Sequence, residues 1–289
     1  MSEATLPPAT VVDGPGVYSI PAEEYHARPE LSSTGARKLL PPSCPALFQY
    51  DREHGEPTKR VWEIGTAAHK MVLGVGPDLV LVDKARWDTN EIKARLAAIR
   101  ADGGIPLKRP EYDAVIAMAK ALGDHPFAGR LFEPGTGEAE QTLIWRDKET
   151  GVDCRALVDW LRFPLPGHRL VVPDYKSAAS AEPGKFARAM ADHGYHVQLA
   201  WYLAGVRALG LGDEQSVGLL VVQEKTPPYL VTVVQPDPTA MRMGQIRMRE
   251  ALRLYAECQS SGRWPGYADD VVLAELPPWE TRELNGAIW

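Results

Sequence analysis

The chain has 289 residues, a formal net charge of −6, 45% hydrophobic residues and 24% charged ones. That balance is ordinary for a folded globular protein, contains no apolar run of membrane-spanning length, and excludes a protein that grips nucleic acid through a broadly basic surface. DNA contact, if any, must be local, and a metal site that gathers acids is compatible with an acidic total because bound cations reverse the local field.

The opening "MSEATLPPATVVDGPG" lacks a basic segment followed by an apolar one, so residues 1–16 read as a disordered lead rather than a secretion signal, with the cytoplasm as the expected location. The three cysteines, Cys44, Cys154 and Cys258, are far apart with no C-x-x-C pair and read as buried free thiols. Next, "LSSTGARKLLPPSCPALFQYDRE" offers Ser32 or Ser33 as an N-cap, a short helix, a "PPSCP" break and a second helix from near Pro45, which makes residues 17–60 an N-terminal helical module. From Val61, "VWEIGTAAHKMVLG" puts Ile64, Ala68, Met71 and Val72 on one helical face, with Gly65 and His69 one turn apart, and stops at Gly74. A short strand "DLVLV" and helices over about 88–101 and 110–122, separated by "DGGIPLKRP", predict a helical insertion.

Two strands around the turn "DKETG" then predict a β-hairpin over "EAEQTLIWRDKETGVDCRALVDWLRF". A third strand follows at "LVVPDYKSA", then two helices split near Gly194, the strands "SVGLLVVQE" and "YLVTVVQ", and an amphipathic helix from about Pro238 to Gln259. The tail beyond is irregular and carries Trp264, Trp279 and Trp289. These elements predict an α/β fold, with a mixed sheet between helices in three layers and a C-terminal helical extension.

In "PDYKS" the alternation of an extended chain aims Asp174 and Lys176 to one side and Tyr175 to the other. On its own this is an ion pair on a strand. Asp159, however, sits among apolar residues in "CRALVDWLRF" on the preceding strand, and neighbouring strands lie about 4.8 Å apart, so the two acids can converge. Paired carboxylates repel and resist desolvation; a divalent cation relieves both costs, and oxygen ligands suit Mg²⁺ or Mn²⁺. Gln198 and Tyr202, spaced i and i+4, share a helix face, suited to contacting a phosphate or bracing the lysine, though packing alone explains the tyrosine.

With "ALVD" ending at Asp159 and "DYK" at 174–176, the chain resembles the PD-(D/E)xK nuclease superfamily. "GTAAH" at 65–69 and "YHVQLAWY" at 195–202 resemble its RecB-like branch, and the run from "YHARPELSSTGARKLLPPSCPALFQY" onward is most similar to phage and prophage exonucleases of the RecE (exonuclease VIII) type. The resemblance implies that Asp159, Asp174 and the Tyr175 carbonyl bind metal with His69, and that Lys176 orients and activates water. It also implies an acid from the hairpin strand, Glu140 or its same-face neighbour Glu138, with Glu140 preferred.

By the same resemblance the chain is a Mg²⁺-dependent exodeoxyribonuclease that works 5′→3′ on linear double-stranded DNA. It leaves 3′ single strands for an annealing protein in phage-type recombination and forms a ring-shaped homo-oligomer. An inactive DNA-binding or assembly subunit and a structure-specific endonuclease are the alternatives. Ser33 and Arg37, at the start of the first helix, suit a 5′-terminal phosphate, or else form a solvated basic face like Arg242, Arg249 and Arg253. Some RecB-like nucleases hold an iron–sulfur cluster, but only Cys44 matches that pattern, so no cluster is expected. The division expected is one exonuclease domain over 17–289, with the nuclease core at 61–235 and the final helix and tail at 236–289.

Overall fold

The structure, a computed structural model, describes residues 12–55, 60–277 and 280, with the backbone alone for 60–64. The predicted lead through residue 11, the Ile64 side chain, Trp279 and Trp289 lie outside the described residues. Strand β1 (Gly16–Tyr18) starts within the predicted lead. Helix α1 (Ala22–Ala27), the two-residue β2 (Leu31–Ser32) and helix α2 (Ser33–Lys38) follow. Ser32 is the α2 N-cap, accepting the Gly35 N–H at 3.1 Å. The prolines then break the helix, and α3 (Pro45–His54) starts on Pro45, whose missing N–H costs nothing in a first turn. Helix α4 (Arg60–Leu73) ends at Gly74, whose φ of +78° suits glycine.

The predicted insertion holds its short strand and both helices, with one strand more than the sequence announced. Strand β3 (Leu79–Leu81), helix α5 (Asn90–Ala101) and strand β4 (Ile105–Leu107) form a small β-α-β unit with the strands parallel. Three residues that include Pro106 give too short an alternation to read as a strand, and only the pairing with β3 makes them one. Helix α6 (Arg109–Asp124) and the single turn α7 (Ala128–Leu131) complete this section.

Strands β5 (Gly137–Arg146) and β6 (Asp153–Arg162) form the predicted hairpin, and β1 and β2 extend it in the order β1-β5-β6-β2. Strand β7 (Val171–Ala178) runs on through helices α8 (Pro183–His193) and α9 (Tyr195–Ala208) to a parallel partner, β8 (Val217–Glu224). Antiparallel β9 (Val231–Val234) closes that second sheet, and α10 (Pro238–Ser261) follows. Strands β6 and β7 lie side by side, yet they belong to separate hydrogen-bonded sheets.

One core joins Leu143, Trp145, Ala156 and Val158 of the hairpin to Val172, Leu220, α9 and α10. The other joins Tyr175, Leu219 and Val221 to α4, α6 and α7. Alternation on β7 and β8 sorts their residues between these two faces, which produces three layers. Gly205 lets α9 lie close on the sheet, since a Cβ there would stand 2.8 Å from the Trp145 ring. The C-terminal helical extension, α10, joins the main core through Met248, Ala251, Leu252 and Tyr255.

Candidate active site

The two sheets part at the chemically rich residues. Between β6 and β7 no ladder forms; instead the Tyr175 N–H donates to Asp159 Oδ2 at 2.6 Å, so a side chain stands where a strand carbonyl would pair. Asp174 is fully buried in the middle of β7, and its Oδ2 forms an ion pair with the Lys176 ammonium. Gln198 Nε2, on α9, lies 3.3 Å from Asp174 Oδ1 and 2.6 Å from the Tyr202 hydroxyl oxygen. Tyr175 points the opposite way, and its hydroxyl donates to buried Gln223 Oε1 at 2.7 Å. Gln223 in turn donates to the Met118 carbonyl at 2.8 Å, tying β7 to α6.

Helix α4 brings the imidazole. The helix passes β7 at Gly65, where a Cβ would lie 3.9 Å from Ser177 Oγ, and small buried Ala67 and Ala68 let the next residue, His69, approach the sheet. His69 Nδ1 is 3.7 Å from Asp159 Oδ2, and its ring meets the Tyr175 ring edge-on with centroids 5.0 Å apart. Burial, with Lys176 adding to it, lowers the His69 pKa to about 4, which leaves a neutral ring with a free lone pair at pH 7.

Glu140 supplies a third acid. In the β5–β6 register Ala139 faces Trp160 and Gln141 faces Val158, so Glu140 comes opposite Asp159, but the ladder skips that pair. Its φ is +47°, a left-handed conformation that costs a non-glycine residue energy. The same point on β6 breaks the alternation: Val158 packs in one core and Trp160, two residues on, in the other. Burial raises the Glu140 pKa and nearby Asp159 adds to it, with Lys70 opposing. Glu138 is exposed and faces Leu161, so of the two acids Glu140 is the one brought to Asp159.

Burial also dominates the remaining charges. It raises the Asp174 pKa to about 6, with Lys176 pulling down and Asp159 pushing up, and it raises Asp159 as well. For Lys176 burial works downward, but Asp174 and Asp159 outweigh it and the net shift is upward. A fully buried carboxylate, Asp174, and a largely buried one, Asp159, therefore share one ammonium, with a third acid close by. Among the described residues no three His, Cys, Asp or Glu side chains stand in a ready-made metal cage. The donor set still fits a hard divalent cation: the imidazole is neutral, and two carboxylates share a single ammonium in a largely desolvated place.

Some predicted contacts are placed elsewhere. Ser33 is buried and Ser32 takes the cap, so the Ser33 hydroxyl does not present itself to a solvent-borne phosphate. Arg37 is engaged with the His193 carbonyl and Thr34 Oγ1. Tyr202 is buried behind Gln198, as a brace rather than a surface contact. Arg249 and Arg253 bind Asp147 and Glu149 of the hairpin turn. Sequence reasoning passed over Gln223, although a glutamine inside the apolar run of β8 is the kind of residue that needs a buried partner.

The crystal structure of a "Putative exonuclease" from Eubacterium rectale is similar over 92% of this chain and 96% of that chain, with a TM-score of 0.54. At 14% identity that likeness shows the fold alone. No curated protein matches the chain. A family model described as "PDDEXK-like domain of unknown function (DUF3799)" matches residues 42–276, a span that contains α4, the hairpin, β7 and α9. The chain belongs to that PDDEXK-like family.

Proposed function

We propose that the protein is a Mg²⁺- or Mn²⁺-dependent exodeoxyribonuclease, and that it digests linear double-stranded DNA 5′→3′ to leave 3′ single strands. One observation carries the nuclease reading: Asp159, Asp174 and Lys176 from two facing strands meet His69 from α4 in one desolvated cluster. A bound divalent cation would supply a more acidic water and neutralise phosphate charge. Asp159, Asp174, His69 and the Tyr175 carbonyl are the donors that would hold it, with Glu140 beside them. Lys176 then orients the attacking water and offers its charge to the phosphate as negative charge grows in the transition state. Gln198, braced by Tyr202, fixes the Asp174 carboxylate.

The direction of digestion, the annealing partner in phage-type recombination and a ring of identical subunits rest on the resemblance of the sequence motifs to RecE-type exonucleases, and a cytoplasmic location on the three separate free cysteines. Among the described residues no helix is long and apolar enough to cross a membrane. The test uses linear duplexes labelled at the 5′ or the 3′ end and incubated with Mg²⁺ beside a closed circle. The expected result is release of the 5′ label, an intact circle, and loss of at least about a thousandfold in rate for Lys176→Ala. A cut circle would mean an endonuclease, and a wild-type protein as inert as Lys176→Ala would mean a binding subunit.

A further inference from the structure

The cluster gives Lys176 a second anchor besides Asp174. Its ammonium lies over the face of the Tyr195 ring, 5.0 Å from the centroid, and the lysine side chain is only 15% exposed. The ring is itself held. It stacks on Phe186, with centroids 5.9 Å apart and planes 18° from parallel, and it leans on His193 at 5.3 Å. The backbone that carries it is set by Gly194, which joins α8 to α9 at φ +65°. Arg37 fixes that joint from α2: it donates to the His193 carbonyl, and its stem fills the space where a Gly194 Cβ would sit, 2.8 Å from Cδ.

We propose that Tyr195 is a positioning residue for Lys176, holding the ammonium over the site through a cation–π contact. This rests on the nuclease reading of Lys176. Asp174 cannot serve the lysine and a divalent cation with full strength at once. When Asp174 acts as a metal ligand, the lysine loses much of its counter-charge, and a buried ammonium without a partner is costly. The negative face of an aromatic ring attracts a desolvated cation and takes no proton from it. Tyr195 thus keeps the lysine at its post as the carboxylate changes partner. The contact needs the ring; the phenol oxygen has no part in it.

The experiment replaces Tyr195 with Phe, with mono-, di- and trifluorinated Phe, and with Leu. Fluorine drains the ring face of negative charge while leaving the shape nearly constant. For the Phe variant we expect kcat on linear duplex to stay within about twofold of wild type, and KM to stay constant throughout the series. Each added fluorine lowers kcat, reaching about tenfold for trifluoro-Phe and for Leu. In protein labelled with [ε-13C]lysine, the Lys176 ε protons are shifted upfield by the ring in wild type and Phe and lose that shift in Leu. A flat response to fluorination, or a Phe variant as impaired as Leu, overturns the proposal. The near-isosteric fluorinated series decides the matter even if Leu unfolds the protein. Should the wild type fail to cut DNA at all, the nuclease reading falls, while the ring shift still decides whether Tyr195 holds Lys176.

Discussion

At the residue scale the site is defined by a shortage of positive charge among largely buried side chains. Buried Asp174 and largely buried Asp159 surround one ammonium, and Asp174 already tends toward its neutral form, with a pKa of about 6 against an ordinary 3.8. Removing the lysine leaves buried Asp174 and its neighbour Asp159 without that counter-charge, and breaking a buried pair costs about 3–5 kcal/mol. We therefore expect Lys176→Ala, without metal, to lose roughly 3 kcal/mol of stability at pH 7.5 by urea unfolding. The loss should shrink below pH 6. There Asp174 takes a proton in either protein, and its raised folded pKa means that the cost of its charge falls away as pH drops. His69 works in the opposite sense: its pKa is depressed from 6.5 to about 4, so stability held above pH 6.5 is lost as pH falls toward 4. The two trends oppose one another in the wild type, so the difference from the variant carries the signal.

At the element scale the site exists because two strands that ought to pair do not. The hairpin, β7, the split at Gly194 and the capped α2 were legible, because each has a local cause in alternation, a turn glycine or a capping hydroxyl. Strands β1, β2 and β4 were not, being two or three residues long and made strands only by distant partners. The choice between Glu138 and Glu140 was also hidden, since both share one face in a regular strand. What separates them is the left-handed Glu140 and the skipped ladder pair opposite Asp159, a distortion no alternation pattern announces. That conformation yields a test. In an ordinary strand Ala is favoured over Gly, but at φ +47° the order should invert, with Glu140→Gly about 1 kcal/mol more stable than Glu140→Ala by thermal unfolding. The usual order would mean that the strand is regular there.

At the scale of the whole molecule, the pieces that look peripheral in sequence complete the core. Tyr255 of α10 meets Phe48 of α3 edge-on at 5.8 Å, and Trp264 just beyond stacks on Phe48 at 5.6 Å. Met248 and Leu252 of α10 are buried in the same core as Trp201 of α9, the helix that carries Gln198 and Tyr195. Each such side chain contributes about 1.5–3 kcal/mol, and net stabilities are only about 5–15 kcal/mol. A chain cut after residue 236 should therefore fail to fold cooperatively, seen as loss of a sharp thermal transition by circular dichroism. A soluble, cooperatively folding fragment would show that the core stands without α10.

The nuclease reading requires that His69, Asp159 and Asp174 hold a divalent cation next to Lys176. Its most direct measurement is the anomalous scattering of Mn²⁺ soaked into crystals of the protein. The account predicts a peak bounded by the Asp159 and Asp174 carboxylates, the Tyr175 carbonyl and the His69 ring, absent from an Asp174→Asn crystal. Well-diffracting crystals with saturating Mn²⁺ and no peak there, or a peak bound only by surface acids, would contradict it.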